Sequence, residues 1–274
     1  MATILVLVHA DEQFWSRHYL IEQLFPYWSA AGHRVLVHEG PATPPPADVA
    51  ILHVDLSVVP PAYPEALRRY PVVLNARTGD IRKRTISRQL VRRDDGWRGP
   101  VVVKTDLNCA GAPEWRLQQM AAAAGVRVAR PLRPPTGDYE IFDRVADVPP
   151  AVWDDDDLVV ERFLAERDER GYYGRFWTFF GDRGYCSRVL GRRPLVKGQD
   201  TIERVLVEVP DEIRALRREF GFDYGKFDFT VHDGRPVLLD VNRTPSFPAN
   251  PNLSGAIRAG LAELAKGIDA FCPD

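Results

Sequence analysis

The sequence predicts an α/β fold with a parallel N-terminal sheet and an α+β C-terminal part. Over the first 75 residues, short apolar strands such as "TILVLVH", "HRVLVHE", "DVAILHVD" and "PVVLN" alternate with helical or loop segments. Strands this apolar are typical of a parallel sheet that is covered on both faces. From "LVVERFL" onward, aromatic-rich strands follow one another with few helices between them, which indicates antiparallel pairing.

The remaining elements of the first half follow in order along the chain. Residues 11–25 carry apolar and aromatic side chains at mixed helical spacing, and the proline-rich residues 40–48 form a surface connection. Asp80 is predicted to cap a basic helix over residues 81–96. A second unit then begins with the strand "PVVVKT" and the loop "DLNCAGAPE". It continues with a helix that stops at Gly125 and the strands "VRVA" and "YEIF".

Two helices are predicted in the second half. The segment "DEIRALRREFG" places Ile213, Leu216 and Phe220 on one face. Residues 253–271 space their apolar side chains by alternating fours and threes, which predicts an amphipathic helix that closes the domain.

The composition limits the possible partners. The 274 residues are 45% hydrophobic and 27% charged, with a formal net charge of −2. This balance does not favour nucleic acid or a membrane surface as a partner. The longest apolar runs are strand-sized, so no transmembrane helix is predicted. The chain begins on a strand without a basic leader, and cysteines 109, 186 and 272 match no metal pattern. We therefore expect a cytoplasmic protein in a reducing compartment.

The segment "YGKFDFTVHDGRPVLLDVNRTPSF" carries acids inside two apolar strands. Asp228 lies in the first strand, Asp240 in the second, and Asn242 follows two positions later. A buried unpaired charge costs several kcal/mol, so these side chains need partners. Two carboxylates and an amide oxygen that converge from neighbouring strands are ligands that suit Mg²⁺ when it also holds phosphates.

Further charged residues mark the ends or interiors of predicted strands and helices; they are Lys83, Lys104, Glu161, Arg175 and Arg188. Lys104 closes an apolar strand and is a candidate phosphate contact. Taken singly, each of these residues is better explained structurally: a Lys or Glu as a solvated strand end, and the stretch from Asp240 to Asn242 as the polar close of a hairpin. Their order along the chain favours a common site.

That order resembles the ATP-grasp superfamily of carboxylate–amine ligases. "DIRKRTIS" and "PVVVKT" are similar to the segments that carry the two nucleotide lysines, which implies these roles for Lys83 and Lys104. "VVERFL" is similar to the hinge strand, which implies adenine contacts from Glu161 and from the backbone of residues 162–164, that is Arg162, Phe163 and Leu164. "FDFTVHDGRPVLLDVNRTPSF" is similar to the metal signature, which implies Asp228, Asp240 and Asn242 as Mg²⁺ ligands.

The resemblance also implies roles outside these motifs. Arg175 and Arg188 lie in the strand pair whose basic residues face phosphates and substrate, and Arg243 lies beside the metal signature, so all three are predicted to be catalytic. The acid that holds the ribose is Glu166 or Asp168. The loop "DLNCAGAPE" departs from the glycine-rich pattern of the family, although Asn108 and the loop amides remain candidate phosphate donors. Asp240 stands where glutamate is commoner.

The activity implied is an ATP- and Mg²⁺-dependent ligase. A small-molecule or peptide carboxylate would attack the γ-phosphate to give an acyl phosphate and ADP, and an amine would then displace phosphate. The resemblance divides the chain into an N-terminal domain (1–77), a central lid (78–160) and a C-terminal domain with the metal site (161–274). Because such ligases are commonly dimers, a homodimer is one expectation.

Two other functions stay open, a kinase that transfers phosphate to a hydroxyl group and a nucleotide-binding regulator without turnover. A nucleic-acid reader is disfavoured, because the arginine-rich residues 82–93 are a local feature of a slightly acidic chain. His53 and Asp55 follow a predicted parallel strand, where open α/β sheets tend to bind ligands. They are therefore weaker candidates for substrate contacts.

Overall fold

The computed structural model describes residues 1–136, 139–197, 201–248 and 253–272, and three β-sheets are formed within these ranges. No helix in these ranges combines the length and apolar character that crossing a bilayer requires.

The first sheet is parallel, as predicted. Its strands, in the spatial order β2-β1-β3-β4, are β1 (Thr3–Val8), β2 (Arg34–Glu39), β3 (Val49–Leu52) and β4 (Val72–Leu74). β1 is buried on both faces: Ile4 and Val6 belong to one hydrophobic core, while Leu5 and Leu7 belong to another that includes side chains of α2 (Ala62–Leu67). This double burial explains the continuous apolar character of the strand.

The prediction of a helix over residues 11–25 is wrong. Two short 3₁₀ segments, Phe14–Ser16 and Leu20–Leu24, precede α1 (Phe25–Ala30). Gln13 and His18 adopt left-handed backbone angles, with φ of 53° and 55°, which a continuous right-handed helix does not permit.

The second sheet is antiparallel, with the order β6-β5-β7. Its strands are β5 (Val101–Thr105), β6 (Glu140–Phe142) and β7 (Leu158–Arg162), and the helices of this region are α4 (Ala112–Ala123) and α5 (Pro150–Trp153). The predicted strand "VRVA", residues 126–129, does not form.

The long basic helix predicted over residues 81–96 is also wrong. Only α3 (Lys83–Ile86) is helical, because Ser87 turns to an extended conformation. The chain then follows β7, where the Val91 amide donates to the Val160 carbonyl oxygen. Arg84, expected on a solvated helix face, pairs with the buried Asp106 at 2.6 Å.

The third sheet is antiparallel and follows the path β11-β10-β9-β12-β13, with β8 paired to β9. Its strands are β8 (Glu166–Asp168), β9 (Gly171–Phe180), β10 (Arg183–Gly191), β11 (Thr201–Leu206), β12 (Tyr224–His232) and β13 (Arg235–Asn242). The predicted helices form as α6 (Asp211–Phe220) and as α7 (Gly255–Ala265), which continues into a 3₁₀ segment, Lys266–Phe271. β11 was not predicted.

The two faces of this third sheet have different environments. One face packs in a core with α6, through side chains that include Phe179, Phe227, Phe229 and Ile213. The other face carries the even-numbered residues of β12, whose first member, Tyr224, packs in the core of the N-terminal sheet. A bulge between the pairs Asp228–Asp240 and Phe229–Leu238 places one extra residue in β13, which keeps Leu238 in the core.

Asn75 joins the first sheet to the third. It follows β4, is fully buried, and has a φ of 59°. Its side-chain oxygen accepts hydrogen bonds from the amides of Asp223 (2.9 Å) and Tyr224 (3.1 Å), and its nitrogen donates to the Tyr224 carbonyl oxygen (3.0 Å). An amide side chain that tolerates left-handed backbone angles satisfies both requirements.

We expect Asn75→Ala to lower the free energy of unfolding by about 3–5 kcal/mol, because three buried hydrogen bonds are lost and alanine disfavours the left-handed conformation. Chemical denaturation measures this change. The control is Asp233→Ala in the exposed β12–β13 turn, where φ is 48° and the backbone cost alone applies, about 1–2 kcal/mol. Equal losses in the two variants would contradict the linking role of Asn75.

Candidate functional site

The predicted metal ligands lie together on one face of the β12–β13 hairpin. Asp228 pairs with Asp240 across the two strands, and Lys226 pairs with Asn242 one step along. Lys226 Nζ lies 2.8 and 3.0 Å from the two carboxylate oxygens of Asp228. The Asn242 side-chain oxygen accepts the Thr244 amide at 2.8 Å, which orients the side chain. Burial raises the pKa of Asp228, and the neighbouring Lys226 charge opposes that rise.

Lys83 approaches the same carboxylates from α3. It is 1% exposed, and its Nζ lies 3.4 Å from Asp240 Oδ1 and 3.4 Å from the Leu107 carbonyl oxygen. Burial by itself would lower the pKa of Lys83, but the charges of Asp240 and Glu161 outweigh it and raise the pKa. The structure therefore brings Lys83 and the acid pair together, as the sequence predicted.

Lys104 and Glu161 form a buried ion pair in the second sheet. The Nζ–Oε2 distance is 2.6 Å, and the two side chains are 6% and 4% exposed. The other carboxylate oxygen of Glu161, Oε1, is buried without a hydrogen-bond partner. The charge of Glu161 also helps to raise the pKa of Lys83, so this one acid acts on both predicted nucleotide lysines.

The hinge segment after β7 is tied to its surroundings. The amides of Arg162 and Phe163 donate to the carbonyl oxygens of Gln89 and Pro100, at 2.8 and 2.9 Å. The Leu164 carbonyl oxygen accepts the Thr230 hydroxyl at 3.1 Å. Among the main-chain amides of this segment, the Leu164 amide has no acceptor within the described residues, and the Arg162 side-chain Nε is also buried without a partner. Adenine contact by the segment stays a prediction.

The loop after β5 is held against the N-terminal sheet. The Asn108 amide donates to Ser57 Oγ at 2.8 Å, and the Ser57 amide donates to Glu114 Oε1 at 2.6 Å. Cys109, Ala110 and Gly111 all have left-handed φ angles, of 48°, 55° and 74°. Asn108 Oδ1 is buried without a partner. The loop thus makes its turn with a single glycine and is anchored on both sides of it.

The architecture matches two solved structures over nearly their full lengths. One is a RimK-domain ATP-grasp protein from Sphaerobacter thermophilus, at 13% identity and a TM-score of 0.51, covering 98% of this chain and 99% of that chain. The other is the D-cycloserine synthetase DcsG, at 14% identity and a TM-score of 0.51, covering 96% of this chain and 99% of that chain. No protein-family model and no curated protein matches the sequence.

The chain has the ATP-grasp fold. This confirms the fold that the sequence motifs predicted, including the small parallel sheet that precedes the ATP-grasp sheets.

Within the ATP-grasp fold, Arg175 and Arg188 lie away from the acid pair. Arg175 pairs with Phe229 and with Arg188 across the sheet, whereas Asp228 pairs with Phe176, so the two arginines are on the opposite face. Both bind Glu166: Arg175 donates two hydrogen bonds of 2.8 Å and Arg188 one of 2.9 Å. This placement does not fit the predicted contact of the arginines with phosphates.

Glu166, predicted to bind the ribose, is occupied by protein donors. In addition to the two arginines, it accepts the Val231 amide at 2.9 Å. Asp168, the alternative, is exposed and accepts the Tyr173 hydroxyl at 2.8 Å. The other Asp168 oxygen, Oδ1, accepts the Arg170 amide at 2.9 Å. Of the two acids, Asp168 is the one exposed to solvent, whereas Glu166 is buried.

Arg243 links the end of β13 to the segments that follow β3 and β4. It is 1% exposed, and its guanidinium donates to the carbonyl oxygens of Val54, Leu56 and Thr78. Burial lowers the pKa of Arg243 to about 10. The Arg243 guanidinium is bound to main-chain carbonyl groups that follow β3 and β4. This position does not fit the catalytic role that was predicted for Arg243.

Two features of the site were missed from the sequence. Lys226 is the first; its position two residues before Asp228 in a strand places it on the same face, and this spacing was a usable signal. The second is Glu12, which follows β1 in a short irregular segment and carries no motif.

Glu12 belongs to a charged pocket at the carboxyl ends of β1 and β3, called here the Glu12 pocket, which Asp55, Arg17 and Arg116 also line. Arg116 pairs with Asp55 at 3.3 Å. Asp55 accepts the hydroxyls of Tyr19 (2.9 Å) and Thr244 (2.7 Å), and Thr244 in turn contacts Asn242. The pocket is therefore joined to the predicted metal ligands through Thr244. His53 is fully buried next to Glu12, with its Nδ1 3.9 Å from Glu12 Oε1. Burial lowers the pKa of His53 to about 3, and its two ring nitrogens have no hydrogen-bond partner.

Glu12 itself is held partly protonated near neutral pH. Burial, assisted by the charge of Asp55, raises the pKa of Glu12 from 4.5 to about 7. Its Oε2 accepts the amides of His9 (3.0 Å) and Asp55 (3.3 Å), while Oε1 is buried without a partner. This carboxyl group can bind or release a proton at physiological pH.

The Lys104–Glu161 pair makes a testable contribution to stability. We expect Lys104→Met to lower the free energy of unfolding by about 3–5 kcal/mol, because it leaves a buried carboxylate without its cation. The double variant Lys104→Met/Glu161→Gln should recover most of that loss in chemical denaturation. The exposed Arg144–Asp147 pair is the control, and Arg144→Met should cost under about 1 kcal/mol. A double variant as unstable as the single one would contradict this account.

The raised pKa of Glu12 predicts a pH dependence. A carboxyl group with a pKa of 4.5 when unfolded and about 7 when folded favours the folded state at low pH, and that stabilisation is lost as pH rises towards 7. Relative to Glu12→Gln, the wild type should therefore lose about 3 kcal/mol between pH 4.5 and pH 8. Denaturation curves at several pH values measure this difference. The exposed Glu65→Gln variant should show no comparable change, and a constant difference for Glu12→Gln would refute the assignment.

Proposed function

We propose that this chain is an ATP- and Mg²⁺-dependent carboxylate–amine ligase that acts through an acyl phosphate. The observation that carries the proposal is the face of β12 and β13 on which Asp228, Asp240 and Asn242 lie together, with Lys226 and Lys83 in contact with the two acids. Carboxylates and lysines in one cleft suit a nucleotide triphosphate with its cation, because each charge on the ligand meets its opposite.

The donor set fits Mg²⁺. Asp228, Asp240 and Asn242 offer two carboxylates and an amide oxygen. The described residues contain no cluster of three His, Cys, Asp or Glu side chains arranged for a metal. A partial protein ligand set of this kind suits Mg²⁺, which keeps phosphate and water oxygens among its ligands. When bound there, Mg²⁺ supplies positive charge that neutralises the nucleotide phosphates.

Three lysines would hold the phosphates. Lys83 and Lys226 lie beside the acids, so a phosphate that reaches the cation also reaches their ammonium groups. Lys104 would extend this positive surface from the second sheet, sharing its charge between Glu161 and the nucleotide. The Leu164 amide and the free Glu161 oxygen, Oε1, offer a donor and an acceptor for the adenine base, and Asp168 an acceptor for the ribose.

The chemistry then follows from positioning. The substrate carboxylate attacks the γ-phosphorus, the bond to the β-phosphate oxygen breaks, and ADP leaves. The amine attacks the acyl carbon, inorganic phosphate leaves, and the amine gives up a proton. Glu12 is suited to accept that proton, because its pKa of about 7 lies near the working pH.

A titration of ATP with and without Mg²⁺ tests the metal assignment. We expect Asp240→Asn to weaken Mg²⁺-dependent ATP binding by about 10- to 100-fold, since one charged contact to the cation is lost. Asp233→Asn is the matched control, because it makes the same change in the exposed turn of the same hairpin and should leave affinity unchanged. Wild-type affinity in Asp240→Asn, measured by calorimetry, would remove Asp240 from the site.

Hydroxylamine trapping distinguishes the proposed reaction from its alternatives. The enzyme is incubated with ATP, hydroxylamine and candidate amino-acid or peptide carboxylates. If it forms an acyl phosphate of the substrate, hydroxylamine traps that intermediate as a hydroxamate, and ADP is released. A stable phosphorylated product without hydroxamate would instead indicate a kinase. ATP binding without ADP release across the substrate panel would favour a nucleotide-binding regulator.

A further inference from the structure

A basic concavity of about 390 Å³ opens on the side of the third sheet where α6 packs. It lies away from the candidate active site, because Trp177 pairs with Phe227 while Asp228 pairs with Phe176 on the opposite face. Its main lining residues are Arg77, Trp177, Arg214, Arg217, Arg218 and Phe222.

A second concavity of about 330 Å³ adjoins the first and shares Trp177, Arg214 and Arg217 with it. Part of its wall is apolar and is formed by Leu206, Val207 and Val209. Charged side chains, Asp182, Arg183 and Glu208, also line this second concavity. Leu206, at the end of the edge strand β11, is 76% exposed. Together the two concavities form one continuous groove beside α6, called here the α6 groove, with a basic half and a partly apolar half.

The cations of the basic half have few anionic partners; Arg214 pairs weakly with the exposed Glu208, at 3.9 Å. Arg217 donates to the carbonyl oxygens of Gly181 (2.7 Å), Phe222 (2.9 Å) and Asp223 (3.1 Å), and its guanidinium carbon lies 4.1 Å from the centre of the Phe179 ring. Among the described residues, no carboxylate oxygen lies within 4.0 Å of the side-chain nitrogens of Arg77, Arg217 or Arg218. Burial without such a partner lowers the pKa of Arg217 to about 10.

The fold holds these arginines in place. Arg77 lies across the end of α6, where a Cβ on Gly221 would approach the Arg77 Nε to 2.6 Å; the φ of 72° at Gly221 independently favours glycine. Asp223, the one acid that lines the basic half, is engaged by the Asn75 amide at 2.7 Å. The basic half is thus a concave surface with four arginines and one acid, Asp223, so it carries a net positive charge.

The chemistry of the groove selects its occupant. Guanidinium groups pair with carboxylates through two parallel hydrogen bonds, and the adjoining apolar wall suits a neighbouring hydrophobic side chain. Single-stranded nucleic acid needs exposed aromatic rings on which to stack, whereas Trp177 is only 3% exposed beneath its arginines. An acidic peptide with an apolar residue beside its carboxylates matches both halves.

The geometry points to the α6 groove as a docking site for an acidic peptide segment of a partner, with carboxylates on Arg77 and Arg217 and an apolar side chain against Leu206 and Val209. The site is separate from the nucleotide cleft, and the inference does not depend on the ligase activity. In a ligase it would tether a peptide at a distance from the reacting groups.

Fluorescence anisotropy with a labelled peptide of alternating glutamate and leucine tests the site on the full chain. We expect binding that weakens as salt is raised, and about tenfold weaker binding in Arg77→Gln and in Arg214→Gln. Both arginines are at least partly exposed, so these variants should fold; the Arg217 side chain is left intact because it holds three carbonyl groups. Arg68→Gln, on the exposed face of α2, is the matched control and should bind as the wild type does.

Two further probes make the result decisive. The same peptide with glutamine in place of glutamate should bind at least tenfold more weakly, and calorimetric ATP binding should be the same in all three arginine variants. The proposal is overturned if the glutamine peptide binds equally well, if Arg77→Gln and Arg214→Gln have no effect, or if an oligothymidine binds more tightly than the peptide. Lack of wild-type binding at about millimolar peptide also overturns it.

Discussion

The acid pair of the β12–β13 hairpin determines what can be placed around it. Asp228 and Asp240 face each other across two strands, and like charges in that position repel. The arrangement is stable only with cations nearby, and the structure provides Lys226 on the same strand and Lys83 on α3. The fold therefore has to place α3 next to the hairpin, so that Lys83 contacts Asp240. Under the proposed function, the same two carboxylates and two ammonium groups would bind a cation and the phosphates.

The same constraint explains how the N-terminal sheet takes part. Asn242 is oriented by Thr244, whose hydroxyl donates to Asp55 after β3. The loop after β5 is anchored to Ser57 in the same region. Asp55 and Ser57, in one segment after β3, thus anchor Asn242 and the loop separately. Lys83 joins the loop to the acid pair, because its ammonium group contacts both the Leu107 carbonyl oxygen and Asp240.

Alternation and motif order predicted the parallel sheet, the ATP-grasp fold and the grouping of the acid pair with Lys83. They did not determine the face on which Arg175 and Arg188 lie, because their acceptor, Glu166, belongs to a three-residue strand that has no pattern of its own. The basic helix failed for a related reason: Arg84 is paired with Asp106, 22 residues away, and local propensity contains no information about such a partner. Arg243 was misread because a buried arginine satisfied by carbonyl groups is indistinguishable in sequence from one that contacts a ligand.

Arg243 has a consequence for the exchange of modules between ATP-grasp proteins. Its three acceptors are carbonyl groups of residues 54, 56 and 78, and backbone positions are not visible in a sequence comparison. A chimera that joins another N-terminal unit at residue 77 would keep the arginine and Thr78 while replacing the loop that carries the other two carbonyl groups. The buried cation would then lack acceptors unless the new loop followed the same path. Exchange of the whole N-terminal unit is thus expected to disturb the fold through Arg243, whereas single substitutions in the Glu12 pocket leave its three acceptors in place.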